Sequence, residues 1–372
     1  MDNFVVSARK YRPLSFADVV GQRHVTDTLM HEIENNKLAQ AFLFTGPRGV
    51  GKTTCARILA KVINSHGAEV DPDQDFAFNI FELDAASNNS VDDIRKLTDQ
   101  VRIPPQTGKY KVYIIDEVHM LSQAAFNAFL KTLEEPPSYA IFILATTEKH
   151  KVLPTILSRC QVFNFNRILV SDMVAHLQSI AKQEGVKAET EALHLIAVKA
   201  DGGLRDALSI FDQLVSFTGG DLTYAKSVEI LNVLDADVYF RLCDCLLAED
   251  RAGALLLFDD VLRRGFDGQF FVSGLSEHLR NLIVCREPKT EQLLEVADAF
   301  RPRFAEQARK ADLSFFLNAL NFTSEADQQY KASRNPRLLV ELMLLKLCHL
   351  QSYVKQVPDI EALKKKFLSD AS

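Results

Sequence analysis

Ala41-Phe42-Leu43-Phe44-Thr45 runs directly into Gly46-Pro47-Arg48-Gly49-Val50-Gly51-Lys52-Thr53-Thr54, and this stretch decides the fold. The first five residues read as a buried strand, and Thr53 to Ile63 has helical periodicity. Between them stands G-x-x-x-x-G-K-T, a pattern that requires a strand before it and a helix after it. Glycines let the backbone curl until several N–H groups point at one phosphate. The following helix adds the positive end of its dipole. Lys52 supplies a point charge to β- and γ-phosphates, and the Thr53 hydroxyl is suited to magnesium. A glycine turn before an ordinary helix is the plainer reading, and the flanking strand and helix argue against it.

Outward from this loop, short apolar runs alternate with amphipathic ones up to about residue 167. Asn79 to Leu83, Lys111 to Ile115, Ala140 to Ala145 and Gln161 to Phe165 are strand candidates. Helices are expected from about Val91, with Ser90 as N-cap, and from Gln123 to Leu133, stopped by Pro136-Pro137. Strands alternating with helices imply an α/β fold whose parallel sheet is covered on both faces. Residues 168–233 read as helical throughout: Ser171 caps a helix through Gln183, another spans Glu189 to Lys199, and a third follows Gly202-Gly203. So small a segment is expected to act as a lid on the first. Residues 234–372 are helical again. Leu338 to Leu350 is apolar around most of its circumference, as in a helix buried on several sides, in a bundle or at a subunit interface. Lys364, Lys365 and Lys366 read as a solvated face.

Bulk properties set limits. At roughly 100–200 residues per domain, 372 residues allow two or three domains. A 47% hydrophobic and 25% charged composition is ordinary for a globular protein. No apolar run approaches the ~20 residues of a membrane span, and the first ten residues lack the apolar core of a signal peptide, so a cytoplasmic location is expected. The net charge of -6 argues against generic polyanion binding, though not against a local basic surface. The six cysteines are scattered without a C-x-x-C pair and read as reduced, mostly buried thiols.

Four further elements bear on chemistry. Val112-Tyr113-Ile114-Ile115 ends in Asp116-Glu117, two carboxylates at the carboxyl end of a strand, where ligands of parallel sheets gather. Asp116 is suited to the magnesium shell and Glu117 to polarising an attacking water. Asp116-Glu117-Val118-His119 also spells a helicase-like box, with His119 read as a loop histidine without a role. Thr146 or Thr147, at the end of the next strand, would lie between the carboxylates and the γ-phosphate; a strand-end cap is the alternative. Arg159, before the last strand, is awkwardly placed for its own subunit's nucleotide; it is a surface arginine or a finger reaching a neighbour's. Arg205 opens a lid helix, where it either meets the γ-phosphate or pairs with Asp201 or Asp206.

These elements in this order resemble the AAA+ family of P-loop NTPases. Within it, several runs are similar to the gamma/tau family of bacterial DNA polymerase III clamp-loader subunits. They include Lys10-Tyr11-Arg12-Pro13, Val19-Val20-Gly21-Gln22, Leu83 to Ser87, Asp116 to Ser122, Leu130 to Pro137, Ile156 to Cys160 and Leu204 to Ser209. The likeness thins beyond residue 233, where Asn335-Pro336-Arg337-Leu338 is the best match. The resemblance implies a nucleotide-binding domain over 1–167, a lid over 168–233 and an oligomerising collar over 234–372. It implies ATP and Mg2+ as cofactors, ATP hydrolysis, and loading of a sliding clamp onto primer–template DNA. Implied partners are other clamp-loader subunits and copies of this chain. Lys52, Thr53, Asp116 and Glu117 would carry the chemistry, with Arg159 acting in trans, Arg205 in cis and one of the two threonines as a sensor. Ala8, Tyr11, Arg12, Pro13, Val19 and Val20 would line the adenine pocket, beside Gly46 to Thr54 around the phosphates.

One departure stands out. Bacterial members usually carry a four-cysteine zinc module soon after the phosphate-loop helix. Here Asn64 to Asp75 is short and holds no cysteine, and His66 alone cannot make a structural zinc site, so no zinc is expected. Three other readings were open: a related AAA+ motor such as a branch-migration helicase or an initiation ATPase, a scaffold that has lost hydrolysis, and a superfamily 2 helicase. The specific runs disfavour the first, and intact Lys52, Asp116 and Glu117 the second. The third needs a second RecA-like domain that the helical remainder does not supply.

Overall fold

Five strands form one parallel sheet: β1 (Ala41–Thr45), β2 (Ile80–Asp84), β3 (Lys111–Asp116), β4 (Ala140–Thr146) and β5 (Gln161–Asn164). This computed structural model describes residues 5–65, 79–106, 108–287, 289–290 and 293–356. The spatial order is β2-β3-β4-β1-β5, so β1 and β4 lie side by side with Thr45 in register with Thr146. β1 and β4 are buried along their whole length, and β3 up to its last residue, as apolar runs in a sheet covered on both faces must be. β2, at one edge, is only half buried.

The helices of this first unit, Met1–Leu222, are amphipathic connections around the sheet. They are α1 (Ser7–Lys10), α2 (Arg23–Glu34), α3 (Lys52–Asn64), α4 (Val91–Val101), α5 (Gln123–Glu134) and α6 (Pro154–Leu157). Alternate strand residues feed two cores. Phe42, Phe44, Ile114 and Ile143 pack with Leu29 of α2 and Leu59 of α3. Leu43, Tyr113, Phe142 and Leu144 pack with Ile94 of α4 and Phe129 of α5. α4 starts at a capping box: Ser90 Oγ accepts from the Asp93 N–H, as the sequence indicated.

Then follow the lid helices α7 (Val170–Gln183), α8 (Thr190–Lys199) and α9 (Leu204–Thr218). Ser171 is not the N-cap expected of it. The helix begins at Val170, so the capping position lies two residues before Ser171, at Leu169, which offers no side-chain bond. A two-residue parallel pair, β6 (Lys187–Ala188) and β7 (Asp221–Leu222), ties the loop after α7 to the chain after α9.

The second unit, Thr223–Ser372, is helical in its described part. It contains α10 (Tyr224–Ile230), α11 (Ala236–Leu247), α12 (Arg251–Arg263), α13 (Gly268–Cys285), α14 (Arg301–Ala308), α15 (Leu313–Tyr330) and α16 (Pro336–Gln356). Phe240, Phe258, Phe271, Phe315 and Phe316 fill its core. Val340, Met343, Leu344 and Leu347 of α16 are buried there, whereas Leu338 and Leu342 are exposed. The helix packs against α11, α12, α13 and α15, as a helix in a bundle does, and keeps Leu338 and Leu342 on its uncovered face. One buried histidine, His278, joins a polar chain: its Nε2 lies 2.7 Å from Gln307 Oε1, while Gln307 Nε2 donates to Phe240 O and to Asp244 Oδ1. Cys55, Cys243 and Cys348 are buried free thiols, and the other three are partly buried. Lys364 to Lys366 lie outside the described residues. Among the described residues no helix is long and apolar enough to cross a membrane.

Candidate nucleotide site

β1 ends at Thr45 and the chain turns through Gly46 to Gly51 before α3 begins at Lys52. Gly46 adopts φ 149°, and a Cβ there would meet the Phe165 carbonyl oxygen at 2.3 Å, so no larger residue fits. Gly49 adopts φ 75°, and its missing Cβ lets the lid come close: a Cβ would sit 3.2 Å from the Cα of Gly203. Lys52 is only 6% exposed. Its Nζ donates to the carbonyls of Gly46 (2.8 Å) and Pro47 (2.7 Å). Burial pushes its pKa down, opposed by the charges of Glu117 and Asp116.

The carboxylates meet the loop from β3. Thr53 Oγ1 donates to Asp116 Oδ2 at 2.7 Å, and Asp116 Oδ1 accepts from the Glu117 N–H at 2.9 Å. One hydroxyl and one carboxylate are hard oxygen donors of the kind magnesium takes beside substrate phosphates. Glu117 sits in the left-handed region, φ 46°, uncommon for a residue with a Cβ. Its Oε2 accepts from the N–H (3.2 Å) and Oγ1 (3.0 Å) of Thr147 and lies 3.3 Å from His119 Nδ1. The same Nδ1 is 3.0 Å from Oγ1 of Thr146, which is fully buried and accepts from the Glu148 N–H. The two threonines thus differ: Thr147 bonds the carboxylate directly, and Thr146 reaches it only through His119. His119, given no role from sequence, is the link between them.

A single cleft gathers most of the remaining candidates. It is lined by Arg48 to Thr54, Asp116 and Glu117 together with Ala8, Tyr11, Arg12, Pro13, Val19 and Val20. Arg205 enters from the lid, and its backbone N–H donates to Gly49 O at 3.4 Å. Of the pairings considered for it, Asp201 is bonded to Arg167 instead. Arg57, Ile168, Leu204 and Leu208 also line the cleft and were missed in the sequence. Arg57 could have been found, since it stands one helical turn after Thr53 on α3. It grips Glu82 of β2 through two bonds, 2.8 and 2.5 Å. Burial, with Arg57 and Arg205 nearby, lowers the pKa of Arg12.

Gly46 and Pro47 hold Lys52 through their carbonyls from behind the cleft, and Thr146 and Thr147 stand behind Glu117. Arg159 is not brought in. Its guanidinium bonds Glu134 Oε1 at 2.6 Å and Thr155 O at 2.7 Å on the partly exposed surface. No cluster of three or more His, Cys, Asp or Glu suited to a metal ion occurs among the described residues. His66 and most of the segment expected to lack a zinc module lie outside them.

A glycine-lined loop between strand and helix, paired carboxylates on a neighbouring parallel strand, and a helical lid bearing Arg205 over the loop define the P-loop NTPase fold of the AAA+ class. Family models match along the chain: "DNA polymerase III, delta subunit" over residues 21–168, "DNA polymerase III clamp loader subunit, ATPase lid domain" over 172–220, and "DNA polymerase III subunits gamma and tau domain III" over 222–363. DNA polymerase III subunit tau of Bacillus subtilis is 39% identical, over 96% of this chain and 66% of its own length. DNA polymerase III subunit gamma of Buchnera aphidicola is 38% identical, over 69% of this chain and 72% of its own. DNA polymerase III subunit tau of Escherichia coli is 40% identical, over 71% of this chain and 43% of its own. The chain belongs to the gamma/tau family of DNA polymerase III clamp-loader subunits. It spans just under two thirds of the length of the Bacillus relative and less of the Escherichia one.

Proposed function

We propose that this chain binds MgATP in the cleft between phosphate loop and lid, and hydrolyses it to drive loading of a sliding clamp onto primer–template DNA. The observation that carries this is the convergence of Lys52, Thr53, Asp116, Glu117 and Arg205 on one cleft. In this reading the backbone N–H groups of Gly49 to Thr53 bind the β-phosphate, and Lys52 leaves its two carbonyl partners for the β- and γ-phosphate oxygens. Thr53 and Asp116, hydrogen-bonded to each other here, would hold Mg2+. The ion supplies charge neutralisation at the γ-phosphate. Glu117 orients the attacking water once nucleotide draws it from Thr147, and Thr147 is the sensor of the pair. Ala8, Tyr11, Pro13, Val19 and Val20 enclose the adenine. Arg205 reports occupancy to the lid.

Arg159 acts on the nucleotide of an adjacent subunit, a role supported by its position outside its own cleft. Hydrolysis is then complete only at interfaces with copies of this chain or other loader subunits. The nucleotide-binding domain covers 1–167, the lid 168–233 and the oligomerising collar 234–372. Calorimetric titration with MgATP tests the site: wild type binds and Lys52→Ala does not. Tight binding by Lys52→Ala would refute the phosphate-loop assignment.

A further inference from the structure

Ala8 and Tyr11 wall the cleft from a segment that cannot hold its own shape. α1 has four residues and no side-chain cap, and a single helical turn is unstable alone. The hydrogen bonds that tie it to the rest of the described chain run to two carboxylates of the lid. The Ser7 N–H donates to Asp212 Oδ2 at 2.7 Å, and the Ser7 hydroxyl donates to Asp212 Oδ1. Lys10 Nζ lies 2.5 Å from Glu184 Oε1, and the Tyr11 hydroxyl donates to the same oxygen. Asp212 stands on α9, the helix that Arg205 helps to begin, and Glu184 caps the end of α7. Ser7 is buried in this contact, whereas the Lys10–Glu184 pair is half exposed.

We propose that the lid carries the base-binding segment through a latch centred on Asp212, so that Asp212 and, secondarily, Glu184 are positioning residues for the nucleoside subsite. Neither lines the cleft; each acts through Ser7, Lys10 or Tyr11. This rests on the nucleotide reading above and adds a division of labour. The phosphates are held by β1 and α3 of the sheet domain, while one wall of the base pocket travels with α9. The angle of the lid and occupation of the base pocket are therefore linked mechanically. With the latch cut, binding of the base must order residues 5–13 afresh, at the expense of affinity.

The test separates base from phosphate. The wild-type chain and its Asp212→Ala, Ser7→Ala and Glu184→Gln variants are titrated with MgATP and with magnesium tripolyphosphate, which has no base. Two hydrogen bonds to a charged group suggest a loss of roughly tenfold to a hundredfold in ATP affinity for Asp212→Ala. Ser7→Ala, which removes one bond and disturbs the lid least, is expected to lose a few-fold. Glu184→Gln, at an exposed pair, is expected to lose less still. Tripolyphosphate affinity stays within twofold in all three. Equal weakening of both ligands, or unchanged ATP affinity in Asp212→Ala and Ser7→Ala, would overturn the latch. If wild type binds neither ligand, the nucleotide reading falls and the latch with it.

Discussion

Acidification from pH 7 to 4.5 is expected to destabilise the helical unit through one side chain, His278. It is 4% exposed, lies against Phe240 and Phe304, and uses Nε2 on Gln307. Because the Gln307 amide nitrogen donates to Phe240 O and Asp244 Oδ1, its oxygen faces the imidazole, which must then carry its proton on Nε2. Burial pulls the His278 pKa down to about 4, against the partial opposition of Gln307 and Asp244. The folded value is the depressed one, so the unfolded chain binds more protons between about pH 6.5 and 4. Stability is whole above 6.5 and lost as pH falls toward 4. The full gap is worth about 3 kcal/mol, of which about 2 kcal/mol appears between pH 7 and 4.5. The chain has no tryptophan, so urea unfolding is followed by far-ultraviolet circular dichroism. His278→Gln keeps a donor near the Nε2 position and cannot titrate. At a typical slope, the wild-type midpoint for this unit drops on the order of 1 M urea further than that of the variant. Parallel pH dependence in wild type and variant would refute the assignment of a neutral, buried His278.

Arg159→Ala is expected to leave ATP binding intact and to lower stimulated hydrolysis by roughly 10³–10⁵, as loss of an arginine finger does; weakened binding in a titration would count against action in trans. His119→Ala, by freeing Glu117 and Thr146 from each other, should lower the stimulated turnover number with little change in ATP affinity. An unchanged turnover would leave His119 as loop packing. Tyr113 is fully buried between Phe81 and Phe142, and its hydroxyl has no hydrogen-bond partner among the described residues. Tyr113→Phe should therefore be stabilising by about 1 kcal/mol, a rise of about 2–4 °C in a thermal scan; a lower Tm would show that the hydroxyl is satisfied. Gly203→Val should weaken ATP binding by disturbing the seat of the lid, since even a Cβ there would lie 3.1 Å from Arg48 O.

The sheet was legible because its central strands, β1, β3 and β4, are near-continuous apolar runs that end at a glycine, a carboxylate pair or a polar loop. β1 was placed to the residue, and the others to within a residue or two. The phosphate loop and Asp116-Glu117 were legible for the same reason: their chemistry needs fixed residue types at fixed places. What sequence could not supply was contact across long separations. The order β2-β3-β4-β1-β5, the seat of Gly203 on Gly49 and the latch of Ser7 on Asp212 depend on pairs that no local pattern marks. Ile168, Leu204 and Leu208 line the cleft, but an apolar side chain carries no local mark that separates a cleft wall from the core. His119 looked incidental in sequence because Thr146, the partner it joins to nearby Glu117, comes from the next strand, β4. The start of α7 shows a smaller limit: Ser171 is a good cap in isolation, but the helix was extended one residue past it to Val170.

ATP hydrolysis by this chain, measured alone and then with sliding clamp, primed DNA and the remaining loader subunits, tests the central claim most directly. A cleft that lacks Arg159 of its own predicts a weak rate alone and strong stimulation only by the full set, abolished by Lys52→Ala. A high rate with DNA alone, indifferent to clamp and partner subunits, would contradict it.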